Sequence, residues 1–92
     1  MKCIPFQAAA SVTQTLPENA VDVTSLLVVN LTAAPATFTT YTVSPATASG
    51  TVAQFTGTPA APSKTVTVAT ALVATDMVYP IYQEVGSIPS NY

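Results

Sequence analysis

Four carboxylates are the only side chains in this 92-residue chain suited to general acid–base work or to holding a hard metal ion: Glu18, Asp22, Asp76 and Glu84. Glu18 and Asp22 stand four positions apart across a proline-led turn signal, and Asp76 and Glu84 flank the last apolar run. A pair of carboxylates can cleave a glycoside or contribute to a calcium site. Both tasks need further polar residues converging on one cleft, and no acidic loop accompanies any of the four. The chain has no histidine, which removes the commonest general base and the commonest zinc ligand. Its one cysteine, Cys3, has no histidine to activate it and no second thiol for a zinc cluster or an internal disulfide. Cys3 is expected to act as a small buried hydrophobe near the terminus. With only Gly50, Gly57 and Gly86, no phosphate-cradling loop exists. The expectation is no enzyme: no catalytic residue, no metal ligand and no cofactor. The four acids read as solvated charges at turns and strand ends.

Scarcity of charge is the second constraint. Charged residues make up 7% of the chain, against roughly 25% in average globular proteins. The 41 residues between Asp22 and Lys64 carry none. A net charge of −2, with two scattered lysines and no arginine, gives no means of gripping phosphates, so neither nucleic acid nor an anionic membrane is an expected partner. The best apolar run, Leu26–Val29, is strand-length and far short of the ~20 residues that span a bilayer as a helix. Met1–Ala10 has the outline of a leader with a small-residue cleavage site, but Pro5 and Gln7 break its apolar stretch. Apolar residues reach 49%, mostly Ala and Val, with 17 large ones and no tryptophan. So thin a core predicts marginal stability alone and a tendency to oligomerise. A soluble monomer ordinarily keeps a charged surface, so an uncharged one is expected to be covered by other protein.

The elements that must carry these residues read as strands. Prolines at 5, 17, 35, 45, 59, 62, 80 and 89 punctuate short runs rich in Val, Thr, Phe and Tyr. The runs are Ala8–Leu16, Val21–Leu31, Ala36–Ser44, Thr51–Thr56, Lys64–Thr70 and Met77–Val85. In the second, Val21, Val23, Leu27, Val29 and Leu31 share one parity, which marks them as its core face. Pro17-Glu18-Asn19 is expected to turn the chain. A bulge near Thr39-Thr40 would let Phe38 and Tyr41 share a face. Pro80 points to an edge or a bulge, and Ala69–Thr75 has room for one helical turn. Asn30-Leu31-Thr32 matches a glycosylation sequon but falls inside the best strand, so no modification is expected there. The fold class is all-β: one small β-sandwich or β-barrel, Ig-like or jelly-roll-like, of six or seven strands. Its core is residues 8–85, with extended arms at 1–7 and 86–92.

Tyrosines cluster late, at Tyr79, Tyr82 and Tyr92, and tyrosine suits interfaces because it joins an apolar body to a polar tip. With the apolar residues of the arms and the last strand, the expected interface set is Ile4, Phe6, Tyr79, Ile81, Tyr82, Ile88 and Tyr92. A cell-surface Ig-like module that stacks sugars on Tyr79 or Tyr82 is the weaker alternative, since tryptophan is absent.

The character of the whole chain carries a resemblance. It is short, rich in Thr, Ala and Val and nearly uncharged, with loops such as Ser44-Pro45-Ala46-Thr47-Ala48-Ser49-Gly50 and Thr58-Pro59-Ala60-Ala61-Pro62. In these respects it resembles small β-rich virion proteins of tailed phages, capsid cement or decoration proteins above all. The resemblance implies a homo-oligomer, trimer or dimer, at three-fold or two-fold positions of a shell. It implies the major capsid protein or another virion protein as partner, and a place in the virion after assembly in the host cytoplasm. The alternative within the same resemblance is a tail, neck, fibre or minor capsid component.

Overall fold

The computed structural model describes residues 2–85. It is all-β, a small barrel-like sheet with extra strands. The strands are β1 (Phe6–Gln7), β2 (Thr13–Asn30), β3 (Thr37–Ser44), β4 (Val52–Gln54), β5 (Ser63–Thr67) and β6 (Met77–Glu84). Their order is β1-β6-β2-β3-β4-β5, and β5 also pairs with β2, so β2, β3, β4 and β5 close into a ring. All pairings are antiparallel except β3 with β4.

The 18-residue β2 makes this closure possible. Its first residues, Thr13–Thr15, pair with β5, and its last, Ser25–Asn30, pair with β3. Between them the register slips twice against β6, from Ala20 to Asp22 and from Val23 to Ser25. The expected turn at Pro17-Glu18-Asn19 is therefore a bend within one strand. Pro17 sits in the irregular stretch of the β2–β5 pairing between Thr15 and Ala20, before β2 meets β6, so no ladder needs the N–H that proline lacks. The second slip also reverses parity. Val23, Leu26 and Val28 face the core, whereas the sequence pattern placed Leu27 and Val29 with Val23. A bulge adds one residue and thereby turns every later side chain over.

Two other expectations change. Residues 8–12 form a corner, not a strand, held by Gln14. That side chain is buried, accepts the Ala9 N–H at 2.8 Å and donates to the carbonyls of Ala9 (3.0 Å) and Ser11 (2.7 Å). Residues 69–76 are loop, with no helical turn. Asn30 ends β2 rather than lying inside it, and its Oδ1 accepts the N–H and the hydroxyl of Thr32, which shapes the tip of the β2–β3 hairpin.

The core gathers Leu16, Leu26, Tyr41, Phe55, Val66, Val68, Val78 and Tyr82 inside the ring and beneath β6. Gly57 is fixed by that packing. A Cβ there would lie 2.4 Å from Cζ of the buried Phe55 ring and 3.0 Å from Cβ of Ser63. Gly57→Ala is expected to force the ring off its site at a cost of about 1–3 kcal/mol, read as a lower midpoint in urea unfolding.

The expected N-terminal arm lies in the sheet. Lys2 and Tyr82 exchange backbone hydrogen bonds at 2.7 and 2.9 Å, Phe6 faces Val78, and the Ala8 N–H reaches the Asp76 carbonyl at 2.9 Å. The segment thus follows the outer edge of β6 in one antiparallel register. It is interrupted only beside Pro80, which has no N–H to give. Cys3, expected to be buried, is exposed on this edge. The expected C-terminal arm, residues 86–92, lies outside the described residues.

Candidate functional site

The four carboxylates do not assemble as their spacing suggested. Glu18 and Glu84 meet around Lys2, whose Nζ is 2.7 Å from Glu18 Oε2 and 3.6 Å from Glu84 Oε2. The Tyr82 hydroxyl donates to the same Glu18 oxygen at 2.7 Å. These hydrogen bonds, from Lys2 first and Tyr82 second, hold the Glu18 carboxyl below its ordinary range, and the bond to Glu18 raises the Lys2 ammonium. Burial, followed by the bond to Glu18, pushes the Tyr82 phenol well up. A carboxylate held in its charged form is the opposite of a poised general acid. The cluster is a clamp that ties the N-terminal segment to the bend of β2 and the end of β6.

The clamp has a pH signature. A depressed Glu18 stabilises the fold at pH values above the ordinary carboxylate pKa of about 4.3, and this contribution disappears as pH falls through the folded-state value. Glu18→Gln should therefore melt below wild type at pH 7, with the gap closing toward pH 3. The melting temperature of both proteins across that range checks it.

Asp76 lies at the other end of β6, buried beneath the preceding loop. Its Oδ2 accepts the Val73 N–H at 3.3 Å and its Oδ1 has no hydrogen-bond partner. Burial, and secondarily the charge of Asp76, raises the Tyr41 phenol. Asp22 stands apart from both, on the rim of an open groove of about 270 Å³ floored by Val23, Val43 and Phe55. That is below the roughly 300–1,000 Å³ of ordinary ligand pockets. No group of three or more His, Cys, Asp or Glu that could hold a metal occurs among the described residues.

The feature with the reach of a functional site is a sheet face. Cross-strand partners share a face, and the register sorts the side chains into two layers. Inward lie the rows Tyr41–Leu26–Pro80 and Val28–Val78–Phe6. Outward lie Phe38–Val29–Met77, then Thr40–Leu27–Tyr79, then Thr42–Ser25–Ile81. Gln7 continues the first outer row across Met77. An antiparallel sheet with one wet face ordinarily alternates apolar and polar residues. Here β6 reads Met-Val-Tyr-Pro-Ile-Tyr, apolar on both sides. The outer rows hold Phe38, Val29, Met77, Leu27, Tyr79 and Ile81 and no charge; Val29 is buried among its neighbours, 8% exposed, and no second layer covers the other five among the described residues. Phe38 is the most open, 67% exposed. Leu27, Met77, Tyr79 and Ile81 are half-buried by one another and by the strands beside them.

The interface residues expected from sequence divide accordingly. Tyr79 and Ile81 stand on this outer face. Phe6 is inward, packed against the core, and Ile4 is exposed on the N-terminal edge. Tyr82 is corrected: it is 0% exposed, a core residue, and can neither stack on a sugar nor touch a partner. Its neighbour parity with Val78 and Pro80 explains why, since even-numbered residues of β6 face inward. Ile88 and Tyr92 lie outside the described residues. Sequence reasoning missed Leu27, Val29, Phe38 and Met77. The unbroken apolar run of β6 was the signal that a second face needed covering. No bulge occurs at Thr39-Thr40, so Phe38 and Tyr41, three apart, face opposite ways.

No protein-family model matches the chain, and searches of curated proteins and of solved structures found no similar protein.

Proposed function

We propose that this chain is a structural protein of a virus particle, a capsid cement or decoration protein that docks its outer sheet face on neighbouring shell subunits. One observation carries the reading: an uncharged apolar face spanning β3, β2 and β6 with nothing over it among the described residues. Burying such a face releases water from apolar surface and strips hydration from no charge. The composition supports the same use, since a chain with 7% charged residues has little else to keep its surface wet. Many copies on a shell add their contacts, so each can be modest. In this reading the chain performs no reaction, and its site is the virion.

The test uses purified particles that contain the chain. A photo-reactive phenylalanine analogue at Tyr79 should cross-link to the main shell protein in intact particles, while the same analogue at the exposed Lys64 should not. Replacing Leu27 with Asp should lower the number of copies per particle at least tenfold, counted by quantitative mass spectrometry. A chain carried at one or a few copies per particle, or full occupancy by Leu27→Asp, overturns the reading.

A further inference from the structure

We propose that the outer edge of β3 is a pairing strand for a second copy of this chain, joined antiparallel about a two-fold axis at Thr39. The inference deepens the reading above, because it names the homo-oligomer through which the outer face would act. It rests on a different part of the structure. β4 pairs with β3 only from Thr42 onward. The Thr42 N–H reaches the Thr51 carbonyl at 3.1 Å, and the Ser44 carbonyl accepts the Phe55 N–H at 3.0 Å. Backbone groups alternate sides along a strand, so the N–H and C=O of Phe38 and Thr40 point the same way. No strand lies beside them among the described residues.

This edge carries none of the usual guards. Strand edges are ordinarily protected by charge, proline, a bulge or brevity. The opposite edge of the sheet has Lys2 and Pro5. The β3 edge reads Thr37-Phe38-Thr39-Thr40-Tyr41, in unbroken register with β2, without charge or proline. Such a strand has the composition that pairs with other strands.

Three features select a second copy as the occupant. First, the edge is self-complementary. With Thr39 facing Thr39, Phe38 of each chain lies opposite Thr40 of the other, so all four outward N–H groups and carbonyls pair in four hydrogen bonds. The two Phe38 rings become diagonal neighbours, within the roughly 7–8 Å at which aromatic side chains touch. Second, neither β3 nor the stretch of β2 paired with it, Ser25–Asn30, carries a charge. Asp22, the nearest charge of β2, is six residues from Val28, the partner of Thr39. That is about 20 Å along the strand, more than twice the ~8 Å screening length at physiological salt. Third, area favours pairing. The outer face of one copy, three strands by about six residues, covers only on the order of 300 Å². A standard interface needs about 800 Å² per partner. Two copies joined edge to edge double the continuous face and bring it closer to that size.

Sedimentation velocity of the purified protein should show a monomer–dimer equilibrium with a dissociation constant on the order of 10 μM, weak because the edge alone is small. Thr40→Pro removes an N–H that faces away from β2, so the fold should persist while dimerisation weakens at least tenfold. Register is read separately in a Cys3→Ser background. Thr39→Cys should cross-link to its own copy under mild oxidation, because facing residues of a non-hydrogen-bonded pair lie about 4.5 Å apart, within disulfide reach. Thr37→Cys, which would face Tyr41 of the other copy, should not. A wild-type protein monomeric at millimolar concentration, or equal cross-linking at both positions, overturns the proposal. Loss of particle binding by Thr40→Pro with a monomeric wild type also overturns it, and assigns the edge to a shell strand. A dimer that ignores shells sinks the docking reading alone.

Discussion

Tyr82→Ala should unfold most of the protein at 37 °C. The side chain is fully enclosed among Val23, Leu26 and Val78 in the core cluster, and its hydroxyl closes the clamp on Glu18. Emptying a buried aromatic site costs about 3–5 kcal/mol. A domain of this length has roughly 5–14 kcal/mol in all, and the Ala- and Val-rich core places this one toward the low end. Cavity collapse cannot recover much, because Val78 and Pro80 are held in register against Val28 and Leu26 of β2. Tyr82→Phe keeps the ring and loses only the hydrogen bond, so it should fall between wild type and Tyr82→Ala. Thermal unfolding followed by circular dichroism checks the series.

The informative comparison is Tyr79→Ala, three positions earlier on the same strand and on its other face. Its loss should be about 1 kcal/mol or less, because a half-buried surface side chain leaves no cavity. If both alanine variants were equally destabilised, the outer face would be covered within the monomer and would not be a docking surface. If Tyr79→Ala were silent in the free protein yet impaired attachment to particles, the two faces of β6 would have separate roles. One serves folding and the other association.

The two tyrosines also show how far sequence reaches in this chain. Strand positions were legible wherever alternation and flanking prolines agreed. Val66, in β5, and Val68, just past its end, are both buried as the alternation of the run Lys64–Thr70 required, and Phe55 of the run Thr51–Thr56 is buried just past the end of β4. Face assignment failed where the backbone adds a residue. The slip between Val23 and Ser25 leaves no mark in side-chain type, yet it brings Leu26 and Val28 into the core cluster in place of Leu27, while Val29 is buried on the other face. Pro17 signalled a turn because proline most often does. Its tolerance inside β2 depends on two partners meeting at that point, which is a tertiary fact. A bulge at Thr39-Thr40 was expected to put Phe38 on the face of Tyr41, because an exposed phenylalanine is costly in a monomer; the unbroken register leaves it outside. The same cost, once the register is known, becomes the argument that Phe38 is covered by another chain.

The candidate site was legible in part. Absence of charge pointed to an interface without saying where. The run Met77-Val78-Tyr79-Pro80-Ile81-Tyr82 marks the stretch of β6, before Gln83 and Glu84, where both faces are apolar. Clustering by residue type grouped Tyr79 with Tyr82, whereas the period of two separates them. Carboxylate pairing was illegible for the same reason. Glu18 and Glu84, 66 residues apart, converge because Ala20 pairs with Glu84 and the N-terminal segment returns along β6.

That return gives the other large effect. Deleting residues 2–7, so that the starting methionine precedes Ala8, should lower stability by about 2–4 kcal/mol and expose the protein to aggregation. Phe6 packs against the core, and burying such a side chain contributes about 1.5–3 kcal/mol. The deletion also removes the paired bonds between Lys2 and Tyr82 and both ion pairs of the clamp. Each neutral backbone bond adds a net stabilisation of about 1 kcal/mol. The N–H groups of Val78 and Tyr82 would then face solvent on a strand whose only charge is its last residue, Glu84, a ready template for another chain. Phe6→Ser should reproduce the packing loss while keeping the edge paired, and so remain soluble. Urea unfolding midpoints and light scattering separate the two variants. A free arm reaching for neighbours would behave otherwise: its deletion would leave the midpoint unchanged and weaken only attachment to the particle. The hydrogen bonds on both sides of Pro80 place this segment in its own sheet, so the midpoint should move first.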